Sequence, residues 1–182
     1  MPDSDLKRYC ESAVEREATH AKQIHPSSVV TAAWVRWKCH FGCPEYGKGY
    51  MCPPDSPTPE ETRALIDCYH RAILFHLEAP KTTDRGKHFR ELYEALIDLE
   101  GEMFKDGYYK AFVLLAGPCR ICKGGECAKL KGAYCTFGQR ARPCMEACGI
   151  DVFQTARNNG FFITPLREKT ETQNCYCLML VD

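Results

Sequence analysis

The sequence lacks an apolar run of about 20 residues, the length needed to cross a bilayer, so no membrane helix is expected. It also lacks an excess of charge, since 24 Lys and Arg balance 24 Asp and Glu. A nucleic-acid binder carries a basic footprint, so nucleic acid is not an expected partner. The opening Met1-Pro2-Asp3-Ser4-Asp5 is acidic and polar, unlike a secretory signal peptide. The expected location is the cytoplasm. Enzyme signatures are missing as well: there is no nucleophile elbow and no dinucleotide fingerprint. Gly47-Lys48-Gly49 is too short for a phosphate loop, which needs a longer glycine frame and a Ser or Thr after the lysine. No repeat, low-complexity tract or linker divides the 182 residues, a length suited to one domain with its own core.

What the chain has is cysteine, thirteen of them. An odd count without an export signal argues against a disulfide framework, and reducing compartments keep thiols free. Thiolates kept reduced for metal binding are the better reading.

Hydrophobic periodicity predicts a single compact α/β domain over 1–182. A helix over about 5–19 buries Leu6, Tyr9, Cys10 and Ala13 on one stripe, which makes Cys10 a core residue. The β-branched and aromatic run Val29 to Val35 predicts a strand. Thr58-Pro59-Glu60-Glu61 predicts a capped helix start, with a helix running to about Tyr69. Ala72 to Leu77 and Ala111 to Ala116 read as buried strands flanking a helix from Arg85 to Lys105. Strand, helix and strand form a βαβ unit, whose strands are expected to pair in parallel. A last helix spans Asp151 to Asn159, stopped by Gly160, and Cys175 to Val181 forms a final strand. The sheet therefore carries cysteine-rich, cluster-binding loops at one edge, where α/β sheets usually bind ligands.

The second cysteine group, 119–148, begins with Cys119-x2-Cys122-x4-Cys127-x7-Cys135. Four thiolates in a short stretch with a tight leading pair suit an iron–sulfur cluster. Gly124, Gly125 and Gly132 allow sharp turns, and Lys123, Lys129 and Lys131 would offset cluster charge. A structural zinc site is the less favoured alternative, because only Cys119 and Cys122 form a short knuckle. The first group, 39–52, is Cys39-x3-Cys43-x8-Cys52, with prolines directly after Cys43 and Cys52. It offers three thiolates, so a fourth ligand comes from elsewhere or the position is open. Candidates are Cys148, ranked first, then Cys144, with Cys68, Cys175 and Cys177 read as core residues. His40 is expected to point away from the ligands, and His25, His70, His76 and His88 belong to no ligand cluster in the sequence. Arg140, Arg142 and Lys48 read as solvated surface charge.

Several runs carry a family resemblance. Cys39-x3-Cys43-Pro44-x-Tyr46-Gly47-Lys48-x3-Cys52-Pro53-Pro54, Pro57 to Glu61, Gly117-Pro118-Cys119-x2-Cys122 and Arg142-Pro143-x-Met145-Glu146-Ala147-x-Gly149-Ile150-Asp151-Val152 resemble a domain-of-unknown-function family described as predicted metal-binding proteins. The resemblance covers nearly the whole chain. It implies metal binding through the two cysteine groups and an anaerobic bacterial or archaeal setting. Cys144 departs from the pattern, which usually has Ser there, so the resemblance implies that typical members do without it.

The reading of function is an iron–sulfur protein with two [4Fe–4S] clusters that transfers electrons to a redox partner protein. One alternative is a redox or Lewis-acid enzyme that uses an open-site cluster on Cys39, Cys43 and Cys52. Another is a zinc-stabilised interaction module.

Overall fold

A computed structural model describes residues 3–79, 85–122, 126–168 and 170–182. Its elements are helix α1 (Lys7–Glu15), strand β1 (His20–Ile24), helices α2 (Ala33–Gly42) and α3 (Pro59–Ile66), and strand β2 (Ala72–Ala79). Helix α4 (Arg85–Lys105), strand β3 (Phe112–Leu114), helix α5 (Val152–Asn158) and strand β4 (Gln173–Leu180) complete the order. Local signals explain several of these. Thr58 caps α3 by accepting from the Glu61 backbone N–H at 3.2 Å, while the Glu61 carboxylate accepts from the Thr58 N–H at 2.8 Å. That reciprocal pair is the capping box expected at this position. Asp151 caps α5 through the Gln154 N–H at 2.9 Å, but the Gln154 side chain bonds Asn158 instead of completing a box.

The four strands lie in the order β1-β2-β4-β3, and every neighbouring pair is antiparallel. This corrects the expected parallel pairing. The strands β2 and β3 do run the same way, since each is antiparallel to β4, but β4 lies between them. Its residues Tyr176 to Leu180 are buried on both faces, as an interior strand requires. Only three residues of the predicted strand at 111–116 join the sheet as β3.

The run Val29 to Val35 is the second correction, for it makes no strand. Thr31 forms an isolated bridge with Ile150, and α2 begins at Ala33. Val35 is the buried residue of that helix, while Trp34 and Trp37 are exposed. The missed strand is β1, whose side chains are mostly polar and only half covered.

One sheet face packs Ile73, Phe75, Val113, Cys177 and Met179 against α1 and α4, through residues such as Tyr9, Phe89, Leu92 and Leu96. The other face packs Leu74, Tyr176 and Leu178 against Ile66, Met145, Ile150 and Ala156. The N-terminal helix is shorter than predicted, and its Val14 is exposed. At one edge lie the carboxyl ends of β2 and β3 and the start of β4, and the segment carrying Cys119 leaves from there. Among the described residues, no helix is long and apolar enough to cross a membrane.

Candidate metal centre

The exit from β3 is pinned to the segment around Cys144. Leu115 donates its N–H to the Pro143 carbonyl and accepts from the Met145 N–H, both at 2.9 Å. Gly117 then takes φ +68°, a left-handed turn that directs the chain into Cys119. The first cysteine group begins on a helix, not after a strand. Cys39 lies in the last turn of α2, and Cys43 caps it, its N–H reaching the Cys39 carbonyl at 3.3 Å. Cys52 follows in a tight turn, where the Gly47 N–H bonds the Pro53 carbonyl at 2.8 Å.

Cys119, Cys122, Cys127 and Cys135 all line one cavity of about 940 Å3, and Cys52 lines it too. Cys39 and Cys43 border a second cavity of about 1220 Å3, walled by Trp34, Trp37 and Phe41. Burial pushes the Cys52 thiol up to about 11, with neighbouring Cys43, Cys39, Glu45 and Cys119 adding to the rise. Burial raises Cys119 and Cys122 as well, reinforced by the other thiols of their group. Thiolates crowded in this way repel each other, and a bound cation reverses that penalty. The two cysteine-bearing loops also touch. Tyr50 donates its hydroxyl to the Ala133 carbonyl at 2.9 Å, and Lys129 forms an ion pair with Asp55.

The remaining cysteines differ sharply in surroundings. Cys144 is buried, accepts the Ala147 N–H on its sulfur at 3.3 Å, and has the Cys52 and Cys148 thiols among its neighbours. Cys148 packs in the core against the second sheet face, and burial pushes its thiol up to about 12. Cys68 is exposed and donates to the Ala64 carbonyl at 3.3 Å. Cys175 and Cys177 share a strand face, with Cys177 in the core and Cys175 packed against it. Cys10 packs there as well. Lys131 pairs loosely with Glu126, and Gly132 adopts φ +65° in the turn before Cys135. Lys123, Gly124 and Gly125 lie outside the described residues.

Sequence reasoning missed three features. Glu146 is half-buried beside the first group: its carbonyl faces the Cys39 thiol at 4.0 Å, and its carboxylate accepts the Gly117 N–H at 3.4 Å. Burial raises its pKa. Arg36 fastens α2 to its surroundings, donating to Ser56 Oγ at 2.9 Å and to the Pro57 and Ala147 carbonyls at 2.8 and 2.7 Å. Arg142 is a third correction, since it bonds the buried Glu100 and is not solvated surface charge. Arg140 does not line the cavity but pairs with Asp98 and with Glu94 of its wall, whereas Lys48 lines it. His40 packs between the rings of Phe41 and Tyr46. His76 and His88, which formed no cluster in the sequence, join His20 with Glu78 and Glu17 with Glu91 respectively.

A family model matches residues 22–181. The chain belongs to the predicted metal-binding protein family (DUF2284). No curated protein and no solved structure matches it. For a member of this predicted metal-binding family, the donor set fits the description. Soft thiolates gathered around one cavity suit a thiophilic metal, and each loop brings its sulfurs from a few residues of chain.

Proposed function

We propose that the chain is a cytoplasmic iron–sulfur protein holding two [4Fe–4S] clusters and passing electrons to a partner protein. Cys119, Cys122, Cys127 and Cys135 hold one cluster, and Cys39, Cys43 and Cys52 hold the other. The observation that carries this reading is the shared cavity, which Cys52 of one group lines together with all four cysteines of the other. That closeness suits a relay between two centres. The sequence spacing favours a cluster over zinc, because structural zinc sites usually pair two short knuckles and only Cys119 and Cys122 form one here. When bound, such clusters supply one-electron chemistry, tuned by burial and hydrogen bonds to sulfur.

The chain's own residues set the rest. Arg36 and Tyr50 fix the loops that carry the thiols, and Lys129, held by Asp55, lies over the Tyr50 ring. Cys144 is better placed than Cys148 to complete the first group, because it neighbours Cys52 while Cys148 packs in the core on the second sheet face.

One observation favours the enzyme reading as a second possibility. Cys39 and Cys43 open onto the cavity lined by Trp34, Trp37 and Phe41, which has room for an apolar substrate beside an open iron position.

Anaerobic purification with metal analysis and electron paramagnetic resonance tests these readings. Two clusters give brown protein with about eight irons per chain. The substitution Cys122→Ser should lower that by about half while the other signal persists. Colourless protein with stoichiometric zinc would overturn the cluster reading and leave the zinc-stabilised module. A signal that shifts when small ligands are added would favour the enzyme over the carrier.

A further inference from the structure

His20 opens β1 and lies opposite His76 in the β1–β2 ladder, and Glu78 follows His76 by two residues on the same strand face. Their ligand atoms all lie within 4.8 Å of one another. The two imidazoles meet Nδ1 to Nδ1 at 3.1 Å. The other ring nitrogen of His76, Nε2, sits 2.8 Å from Asn174 Oδ1. A carboxamide oxygen only accepts, so Nε2 carries the proton and Nδ1 presents its lone pair. Burial lowers the pKa of His76, with Asn174 opposing it, which favours the neutral ring. Tyr176 and Phe161 pack on that ring at 4.7 and 5.5 Å between centroids. The Glu78 N–H donates to Thr19 Oγ1 at 2.9 Å, which steadies the backbone beneath the carboxylate.

We infer that His20, His76 and Glu78 form a mononuclear site for a divalent first-row transition-metal ion, separate from the cysteine loops. Two imidazoles and one carboxylate are a donor set that leaves coordination positions open. Two nitrogens bound to a tetrahedral ion at 2.0–2.1 Å stand about 3.3 Å apart, close to the spacing between His20 and His76. A ligating histidine normally donates its second N–H to a fixed oxygen, the role Asn174 fills here. The site pairs one rigid ligand with two adjustable ones, because His76 is buried while His20 and Glu78 are exposed. Without an ion, the Nδ1–H of His20 donates to His76. With one, His20 binds through Nδ1 in its other tautomer, with the proton carried on Nε2. None of the three residues lines either cysteine-bordered cavity. The site therefore stands or falls independently of the clusters.

Zinc retention tests the inference. Wild-type protein, the double variant His20→Ala/Glu78→Gln and the variant Asn174→Ala are dialysed anaerobically against buffered micromolar free zinc, and zinc per chain is measured. The cysteines are identical in all three, so zinc held by thiols cancels in the comparison. Wild type should retain one more zinc per chain than the double variant, whose substituted residues are exposed. Asn174→Ala should keep the site but bind about 10–100-fold more weakly. The zinc K-edge spectrum of wild type minus double variant should show nitrogen and oxygen neighbours at about 2.0–2.1 Å. Equal zinc in wild type and double variant overturns the site, as does a difference spectrum containing only sulfur neighbours. A circular dichroism spectrum matching wild type confirms that the variants are folded.

Discussion

The Tyr50 hydroxyl donates to the Ala133 carbonyl at 2.9 Å, and this bond ties the loop of the first cysteine group to that of the second. Replacing Tyr50 with Phe removes the donor and keeps the ring. The expected cost is about 0.5–1.5 kcal/mol in the docking of the two loops. Tryptic cleavage after Lys129 or Lys131 should become severalfold faster, while the midpoint of global urea unfolding barely moves. Unchanged cleavage would show that the loops are held together by other contacts.

A second prediction concerns Arg142. Its Nε donates to Glu100 Oε2 at 3.0 Å, and the same carboxylate oxygen accepts the Val113 N–H of β3 at 2.7 Å. Arg142→Ala leaves a buried carboxylate without its counter-charge and should cost about 3–5 kcal/mol. The double variant Arg142→Met/Glu100→Leu should recover part of that loss. Urea denaturation of both variants measures the difference.

Gly149 adopts φ +77°, and a methyl group added there would sit 2.4 Å from Pro59 Cγ at the start of α3. Its carbonyl also accepts the Ala32 N–H at 2.8 Å, just before α2. Gly149→Ala should therefore cost about 1–2 kcal/mol from backbone conformation, with the clash added to that. The collision pushes the segment carrying Cys144 away from the start of α3. Alkylation of Cys144 in metal-free protein should speed up in step with the lost stability. A variant with wild-type stability and wild-type alkylation would contradict this.

Acid stability follows from Asp182. The Arg71 guanidinium bonds its carboxylate, with Nε to Oδ1 at 2.8 Å, and holds the carboxyl below the usual carboxylate range. A carboxyl whose folded pKa is lowered stabilises the fold fully above its unfolded pKa, and that contribution fades as pH falls through the folded value. Asp182→Asn should thus be less stable than wild type near neutral pH, and the gap should close as the solution is acidified below the carboxylate range. Thermal melts across that range give the two curves.

Much of this architecture can be read along the chain where the signal is local. Helix α4 was expected from Arg85 to Lys105 and has those bounds, because Phe89, Leu92, Tyr93, Leu96, Leu99 and Met103 keep one helical stripe over about four turns. The cap at Thr58 was legible for the same reason. Val29 to Val35 misled because β-branched residues near an aromatic imitate a strand, yet their neighbours dock on Ile150 and Gly149 and not on a ladder. Strand pairing depends on distant partners, so the insertion of β4 between β2 and β3 had no local mark. The same reason hid the cluster of His20, His76 and Glu78, whose members are separated in sequence and joined only by the β1–β2 register. The cysteine spacing was legible within each loop, whereas the meeting of Cys52 with the second group depends on how the loops dock.

The interior position of β4 imposes an order on biogenesis. Cys39 through Cys148 leave the ribosome before residues 173–180 do, and β3 pairs with β4. A nascent chain thus carries its thiols into the cell ahead of the platform that arranges them. Metal delivery belongs after translation has passed β4, and a ribosome stalled upstream of that strand would expose up to eleven reactive cysteines with no scaffold to shield them.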